Sequence, residues 1–268
     1  MKIGIIGYGS MGKMLLHKIS NNCNVVKDNL LVSNRTIEKL KEVDNISTTL
    51  NNLEVARNAD ILFLCIKPID YMEVLNEIKD TIKKETLVVS LNGSISFNTI
   101  HKVISNKLIK VIPSLTAEID KSQTLVCYDD GVSDSDKTAI KELLYSFGSV
   151  IELAEDEIGM GSELVSCMPG FIASIFDCLC TEAKNHTTIS KEEIVKMVLS
   201  TISATADLML EKNMTFSDVV DRVATKGGIT IEGTNVIYEK FPNISNELFV
   251  KTLEKRKETK EKIDNMFK

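Results

Sequence analysis

Met1-Lys-Ile-Gly-Ile-Ile-Gly-Tyr-Gly-Ser-Met-Gly12 is the stretch whose reading decides the fold. The apolar run Ile3 to Ile6 has the length and β-branched character of a buried strand. Gly7, Gly9 and Gly12 follow in the spacing G-x-G-x-x-G, and Met14, Leu15, Leu16 and Ile19 then recur with a helical period. Strand, tight turn and helix in that order read as a dinucleotide-binding βα turn. Gly7 makes the turn, Gly9 lets the backbone approach a pyrophosphate, and Gly12 lets helix and strand pack closely. Free N–H groups at the positive end of the helix receive the phosphates. With Ser10 and Met11, the first residues of the helix, these glycines form the expected cofactor cradle.

The same alternation continues downstream. Leu30 to Ser33, Ile61 to Ile66, Thr86 to Ser90 and Lys107 to Ile112 read as strands, with helical segments at 37–43, 72–78 and 98–104. The unbroken apolar run from Ile61 suits a central parallel strand covered on both faces. Gln123 to Tyr128 and Ser149 to Leu153 are expected as edge strands around a helix from Asp134 to Phe147. The expected class is α/β, with a Rossmann-type doubly wound sheet over residues 1–154.

From Glu155 the β-branched runs give way to helical periodicity. One helix is expected from Glu155 toward Lys184, interrupted or bent near Pro169-Gly170. Another is expected behind a capping box at Ser190 and Glu193, a third over Phe216 to Val223, and a charged helical tail over Asn246 to Phe267. Residues 155–268 are thus expected to form an all-helical domain. The segment after Ser190 is too apolar for a helix with one face in water, so this domain is expected to complete its core in a homo-oligomer.

A formal charge of -6 and a pI near 5.3 supply no positive field, which argues against nucleic acid or an anionic membrane as main partner. Three histidines form no metal-like cluster, so no metal is expected. Six cysteines (Cys23, Cys65, Cys127, Cys167, Cys178 and Cys180) without a C-x-x-C pair read as reduced thiols of a cytoplasmic protein. No stretch reads as long enough to span a bilayer, and the N-terminus lacks the apolar core of a signal peptide. The expected partner is a small-molecule substrate.

Three further stretches join the glycine turn as places for chemistry. In Ser33-Asn34-Arg35-Thr36 no acid stands where an NAD enzyme would bind a ribose 2′-hydroxyl; Asn34 and Arg35 instead suit a 2′-phosphate, favouring NADPH over NADH. Cys65-Ile66-Lys67-Pro68 ends the central strand, where Lys67 can reach cofactor phosphate or ribose and Pro68 sets the following turn. Thr225-Lys226-Gly227-Gly228-Ile229-Thr230 is a paired-glycine turn before a helical segment. Its backbone N–H groups suit a carboxylate, and Thr230 can donate a hydroxyl to a substrate.

Taken together, Ile5-Ile-Gly-Tyr-Gly-Ser-Met-Gly12, Asn34-Arg35, Ile66-Lys67-Pro68, Val111-Ile-Pro113 and Gly227-Gly-Ile-Thr-Ile-Glu-Gly233 resemble the pyrroline-5-carboxylate reductase family in order and spacing. The resemblance implies a Rossmann domain and a helical domain that interlocks with a second subunit, often with higher assembly of such dimers. It implies reduction of the cyclic imine 1-pyrroline-5-carboxylate to L-proline by NAD(P)H. The substrate carboxylate would lie on N–H groups of Thr225, Ile229 and Thr230 in the Gly227-Gly228 turn, and the Thr230 hydroxyl would hydrogen-bond the ring nitrogen. Ser166-Cys-Met-Pro169, with Met168 in place of a glycine, and Ile112-Pro-Ser-Leu-Thr116 depart from the family's usual segments, as does Lys226 in place of a proline. These departures resemble the late-competence-operon branch of the family.

Two other readings stand beside this one. A cofactor-binding regulatory homodimer of the same family would explain a changed substrate pocket. A β-hydroxyacid dehydrogenase would share the nucleotide-binding start, but its pattern has a catalytic lysine on the first long helix of the second domain. Ser162-Glu-Leu-Val-Ser-Cys167 contains none.

Overall fold

The computed structural model describes residues 1–22 and 25–267; Cys23, one of the six thiols in the redox reading, lies outside the described residues. The chain divides into two compact units, one of residues Met1–Pro169 with Leu253–Lys268 and one of Gly170–Thr252.

The first unit is built on one sheet. Its strands are β1 (Ile3–Ile6), β2 (Leu30–Ser33), β3 (Ser47–Thr49), β4 (Ile61–Leu64), β5 (Leu87–Ser90), β6 (Leu108–Ile112), β7 (Ser122–Tyr128) and β8 (Gly148–Glu152), in the order β3-β2-β1-β4-β5-β6-β7-β8. Neighbours from β3 to β6 are parallel, β7 runs antiparallel to β6, and β8 is parallel to β7. The doubly wound sheet is therefore present. Two details differ from expectation. Strand β7 is an interior strand, because β8 pairs along its outer side. The opposite edge is β3, whose Ser-Thr-Thr has neither apolar alternation nor length to mark it as a strand.

Alternate side chains of the strands feed two cores. On one face Ile3, Ile5, Phe63 and Val89 pack with Leu15 and Ile19 of helix α1 (Ser10–Ser20). Ile140 and Leu144 of α6 (Asp134–Leu144) join the same core. On the other face Ile6, Leu62, Leu64 and Val88 pack with α3 (Asn52–Asn58), α4 (Tyr71–Ile78) and α5 (Phe97–His101). The short α2 (Ile37–Leu40) follows β2. Ile158 and Ile263 enter this second core too, which explains why residues 155–169 and 253–268, assigned from sequence to the helical domain, belong by contact to the sheet unit.

Steric exclusion sets the βα turn. Gly7 has φ +100°, and a Cβ there would lie 2.5 Å from the Cys65 carbonyl oxygen. At Gly12 a Cβ would lie 2.0 Å from the Gly7 carbonyl oxygen, whereas at Gly9 it would meet nothing within 4 Å.

In the helical part, α7 (Ile158–Ser162) runs through a π turn over Glu163–Cys167 into α8 (Met168–Lys184). The π turn ends at Cys167, with Met168 between it and Pro169, and the Pro169 ring removes a donor and crowds the carbonyl one turn back, inside that π turn. The helix continues instead of stopping. This corrects one expectation: the 27-residue run Ile158–Lys184 is long and apolar enough, by length and composition, to cross a membrane. Helix α9 (Lys191–Lys212) starts at the expected box, with the Ser190 hydroxyl accepting from Glu193 N–H at 3.2 Å and the Glu193 carboxylate accepting from Ser190 N–H at 3.3 Å. Helix α10 (Phe216–Val223) follows. The expected tail is longer than its charge pattern shows, because α11 runs from Ile229 to Met266 with Pro242 inside it. The apolar residues Met197, Leu199, Leu208 and Leu210 of α9 are exposed, so the unpartnered surface anticipated for this helix is present. The five described cysteines are free, with Cys178 exposed and Cys127 and Cys180 buried.

One charge lies inside the sheet unit. Lys110, in the middle of β6, is 1% exposed and forms a short ion pair with Glu155, which also accepts from Phe97 N–H at 2.7 Å. Burial pushes the Lys110 ammonium below its ordinary range, and Glu155 opposes that shift.

Two outcomes follow. Gly12→Ala should cost about 2 kcal/mol or more through overpacking against a backbone carbonyl, while Gly9→Ala should leave the melting temperature nearly unchanged; equal melting of both variants would refute the packing role given to residue 12. Glu155→Gln should cost about 2–3 kcal/mol, less than for a wholly buried pair because Glu155 is partly solvated, and adding Lys110→Met should restore most of it. A denaturation series in which Glu155→Gln stays within about 0.5 kcal/mol of the parent would mean that Lys110 does not depend on its partner.

Candidate functional site

In a parallel sheet the strand ends carry the ligand crevice, because each chain reverses there and exposes the N–H groups of the following helix. Here the carboxyl ends of β1, β2 and β4 converge. Gly7 N–H donates to the Ser33 carbonyl at 2.9 Å, and Cys65 N–H to the Ile6 carbonyl at 2.8 Å. The resulting cleft, of about 270 Å³, is lined by Gly7, Gly9, Asn34, Arg35 and Lys67 among the residues expected from sequence. Gly12 lies beneath the turn, Ser10 and Met11 open α1 beside Gly9, and Pro68 starts the 3₁₀ turn Pro68–Asp70. The expected cofactor residues are thus gathered in or next to one cleft.

Local bonds explain how they are held. Asn34 accepts from Tyr8 N–H through Oδ1 at 3.1 Å and donates through Nδ2 to the Thr36 carbonyl at 3.0 Å, which fixes the β2 end against the glycine turn. Tyr71, fully buried, donates its hydroxyl to the Leu64 carbonyl at 3.2 Å and shares a hydrogen bond of 2.8 Å with Ser90. That anchor sets the chain after Lys67. Burial also pushes the Cys65 thiol well above its ordinary pKa, so this cysteine is not an activated nucleophile.

Five polar lining residues, Lys39, Asn52, Asp70, Glu73 and Glu77, carry no signal in the sequence motifs. They come from α2, α3, the Pro68 turn and α4, elements whose convergence no local spacing reveals. Asn52 is central to a chain in which Ser33 Oγ donates to Asn52 Oδ1 at 2.7 Å and Asn52 Nδ2 donates to Glu77 at 2.8 Å. Glu77 of α4 is thus linked to the end of β2 through Asn52.

The second group, Thr225 to Thr230, lies on the other compact unit. Gly227 adopts φ +77°, the left-handed region that favours glycine, and Gly228 N–H donates to the Thr225 carbonyl at 2.9 Å. Thr225 N–H is already engaged, donating to the Val223 carbonyl at 3.2 Å. Ile229 and Thr230 open α11, where the first N–H groups lack partners along the helix. The Ile229 side chain is 94% exposed. Of the divergent positions, Ser114 is buried and caps the 3₁₀ turn Leu115–Ile119, and Met168 begins α8 directly after the π turn.

The family model described as NADP oxidoreductase coenzyme F420-dependent matches residues 2–93, and that described as pyrroline-5-carboxylate reductase dimerisation matches residues 155–259. Pyrroline-5-carboxylate reductase 3 of Bacillus subtilis is 31% identical over 95% of this chain and 95% of its own length. ComE operon protein 4 of the same organism is 25% identical over 94% of each chain. The crystal structure of Plasmodium falciparum pyrroline carboxylate reductase with NADP bound superposes with a TM-score of 0.84 at 22% identity, covering 100% of this chain and 98% of that one, and so supports the fold. With a relative of that identity along nearly the whole chain, a matching dimerisation region and the Rossmann crevice in place, this chain belongs to the pyrroline-5-carboxylate reductase family.

Proposed function

We propose that the protein reduces 1-pyrroline-5-carboxylate to L-proline with NADPH, NADH being the weaker donor, and acts as a homodimer in the cytoplasm. The observation that carries this reading is the cleft at the ends of β1, β2 and β4. It combines a glycine turn closed to any Cβ at residue 12, open space at Gly9 and the cations Arg35 and Lys67. That donor set fits a phosphorylated dinucleotide: amides of α1 for the pyrophosphate, and Arg35 with Asn34 for a 2′-phosphate. When bound, the nicotinamide group supplies a hydride.

The chain's own residues have a modest task. An imine protonated on nitrogen already accepts hydride, so holding it in position is the main requirement. Ile229 and Thr230 offer backbone N–H groups for the carboxylate at the start of α11. The Thr230 hydroxyl holds the proton at the ring nitrogen. Thr225 contributes through its carbonyl, which closes the turn on Gly228, and Gly227 and Gly228 keep the approach free of side chains. No metal is asked for by this chemistry.

The exposed apolar residues of α8 and α9 support the homodimer. Ile172, Ile175, Leu179, Met197 and Leu199 are the kind of surface that a second copy covers, and they lie within the span of the dimerisation match. The same need accounts for the apolar run Ile158–Lys184 without a membrane.

Purified protein given NADPH and pyrroline-5-carboxylate should oxidise the nucleotide and form proline. Thr230→Ala should lower kcat about a hundredfold with NADPH binding unchanged, and Gly228→Trp should abolish turnover. Full activity in both variants would remove the substrate assignment. NADPH binding without turnover in the parent protein would replace the reductase with the regulatory homodimer.

A further inference from the structure

We propose that Asp70 and Arg35 form a charge pair that the 2′-phosphate of NADPH must open, so that Asp70 restrains the preference of this cleft for NADPH over NADH. The inference rests on the cofactor reading above.

In dinucleotide domains the acid that accepts from the ribose 2′-hydroxyl usually stands at the end of the second strand. Here Asn34 follows that strand and is committed to the Tyr8 and Thr36 backbone. The cleft acquires its acids from elsewhere: Asp70, Glu73 and Glu77 face Arg35, Lys39 and Lys67, three charges of each sign. Glu77 is engaged by Asn52, whereas Arg35 Nη1 lies 3.7 Å from Asp70 Oδ1.

The two partners are held differently. Asp70 sits in the turn after Lys67, with its N–H donated to the Lys67 carbonyl at 3.0 Å, and its side chain is 25% exposed. Arg35 is 78% exposed and meets the carboxylate at one long contact rather than through a two-point fork. The acid is therefore the fixed member and the arginine the member that can turn away. A phosphate offers Arg35 more charge and two acceptors, so it competes for the guanidinium. Once the exchange is made, Asp70 is left as an unpaired anion beside a second anion. A 2′-hydroxyl makes no such demand. It leaves the pair intact and can itself donate to a carboxylate. Asp70 thus acts against NADPH while leaving NADH unpenalised.

The test is calorimetric binding of NADPH and NADH to the full chain and to Asp70→Asn, Arg35→Gln and the double variant, each checked by thermal melting. Asp70→Asn should tighten NADPH about fivefold, the scale of a partly exposed ion pair, and change NADH less than about twofold. In the Arg35→Gln background the same change should give less than half of that gain. An unchanged ratio of the two affinities, equal tightening of both nucleotides, or the full gain without Arg35 would each overturn the pair's role. Failure of the parent protein to bind either nucleotide would overturn the cofactor reading and the pair with it. NADPH binding by the parent with an unchanged ratio in Asp70→Asn would overturn the pair alone.

Discussion

The carbonyl oxygen of Gly7 occupies the space that a Cβ at residue 12 would need, and the nucleotide unit is arranged around that contact. It lets α1 sit directly on the end of β1, which aims the first amides of the helix into the crevice. The left-handed turn at Gly7 brings its N–H to the Ser33 carbonyl and its Cα against the Cys65 carbonyl, so the ends of three neighbouring strands are brought together at one residue. Asn34, Arg35 and Lys67 come to one cleft as a consequence, because each lies within three residues of one of those strand ends.

A second constraint works at the other side of the sheet. Lys110 is a charge in the centre of a strand whose neighbours are apolar, and it is tolerable only because Glu155 reaches it from beyond β8. Phe97 lies under the same ammonium, 4.7 Å from its ring centroid, and gives its N–H to the same carboxylate. The pair therefore ties β6, α5 and the chain that leads into α7. Arg256 makes a similar link further along, donating to the buried Glu163 at 2.7 Å. These bonds hold residues 155–169 and the end of α11 to the sheet unit, while apolar residues of α8 and α9 stay exposed.

Much of this was legible in the residues. Continuous apolar runs such as Ile61 to Leu64 announce strands buried on both faces, and the Ser190-Glu193 box announces the start of α9, because each signal is local. Strand β3 was not legible, since Ser-Thr-Thr at a sheet edge owes its conformation to pairing with β2. The interior place of β7 could not be read from its own residues, because β8 alone decides it. Helix α11 is longer than the charged tail from Asn246, because the lysine and glutamate pattern marks only its solvated end and the helix accommodates Pro242 upstream.

The sequence by itself determined the nucleotide turn, the order of strand and helix, and the glycine pair before α11, for glycine spacing and apolar periodicity act over a few residues and need no partner to be meaningful. Only the tertiary structure decided which charges share the cleft. Asp70, Glu73 and Glu77 enter it because the Pro68 turn and α4 follow β4, which lies one strand from β2 across β1, a matter of strand order rather than of distance along the chain. Electrostatic selectivity depends on separations of a few ångströms between side chains from different elements, and such separations exist only after the sheet has formed.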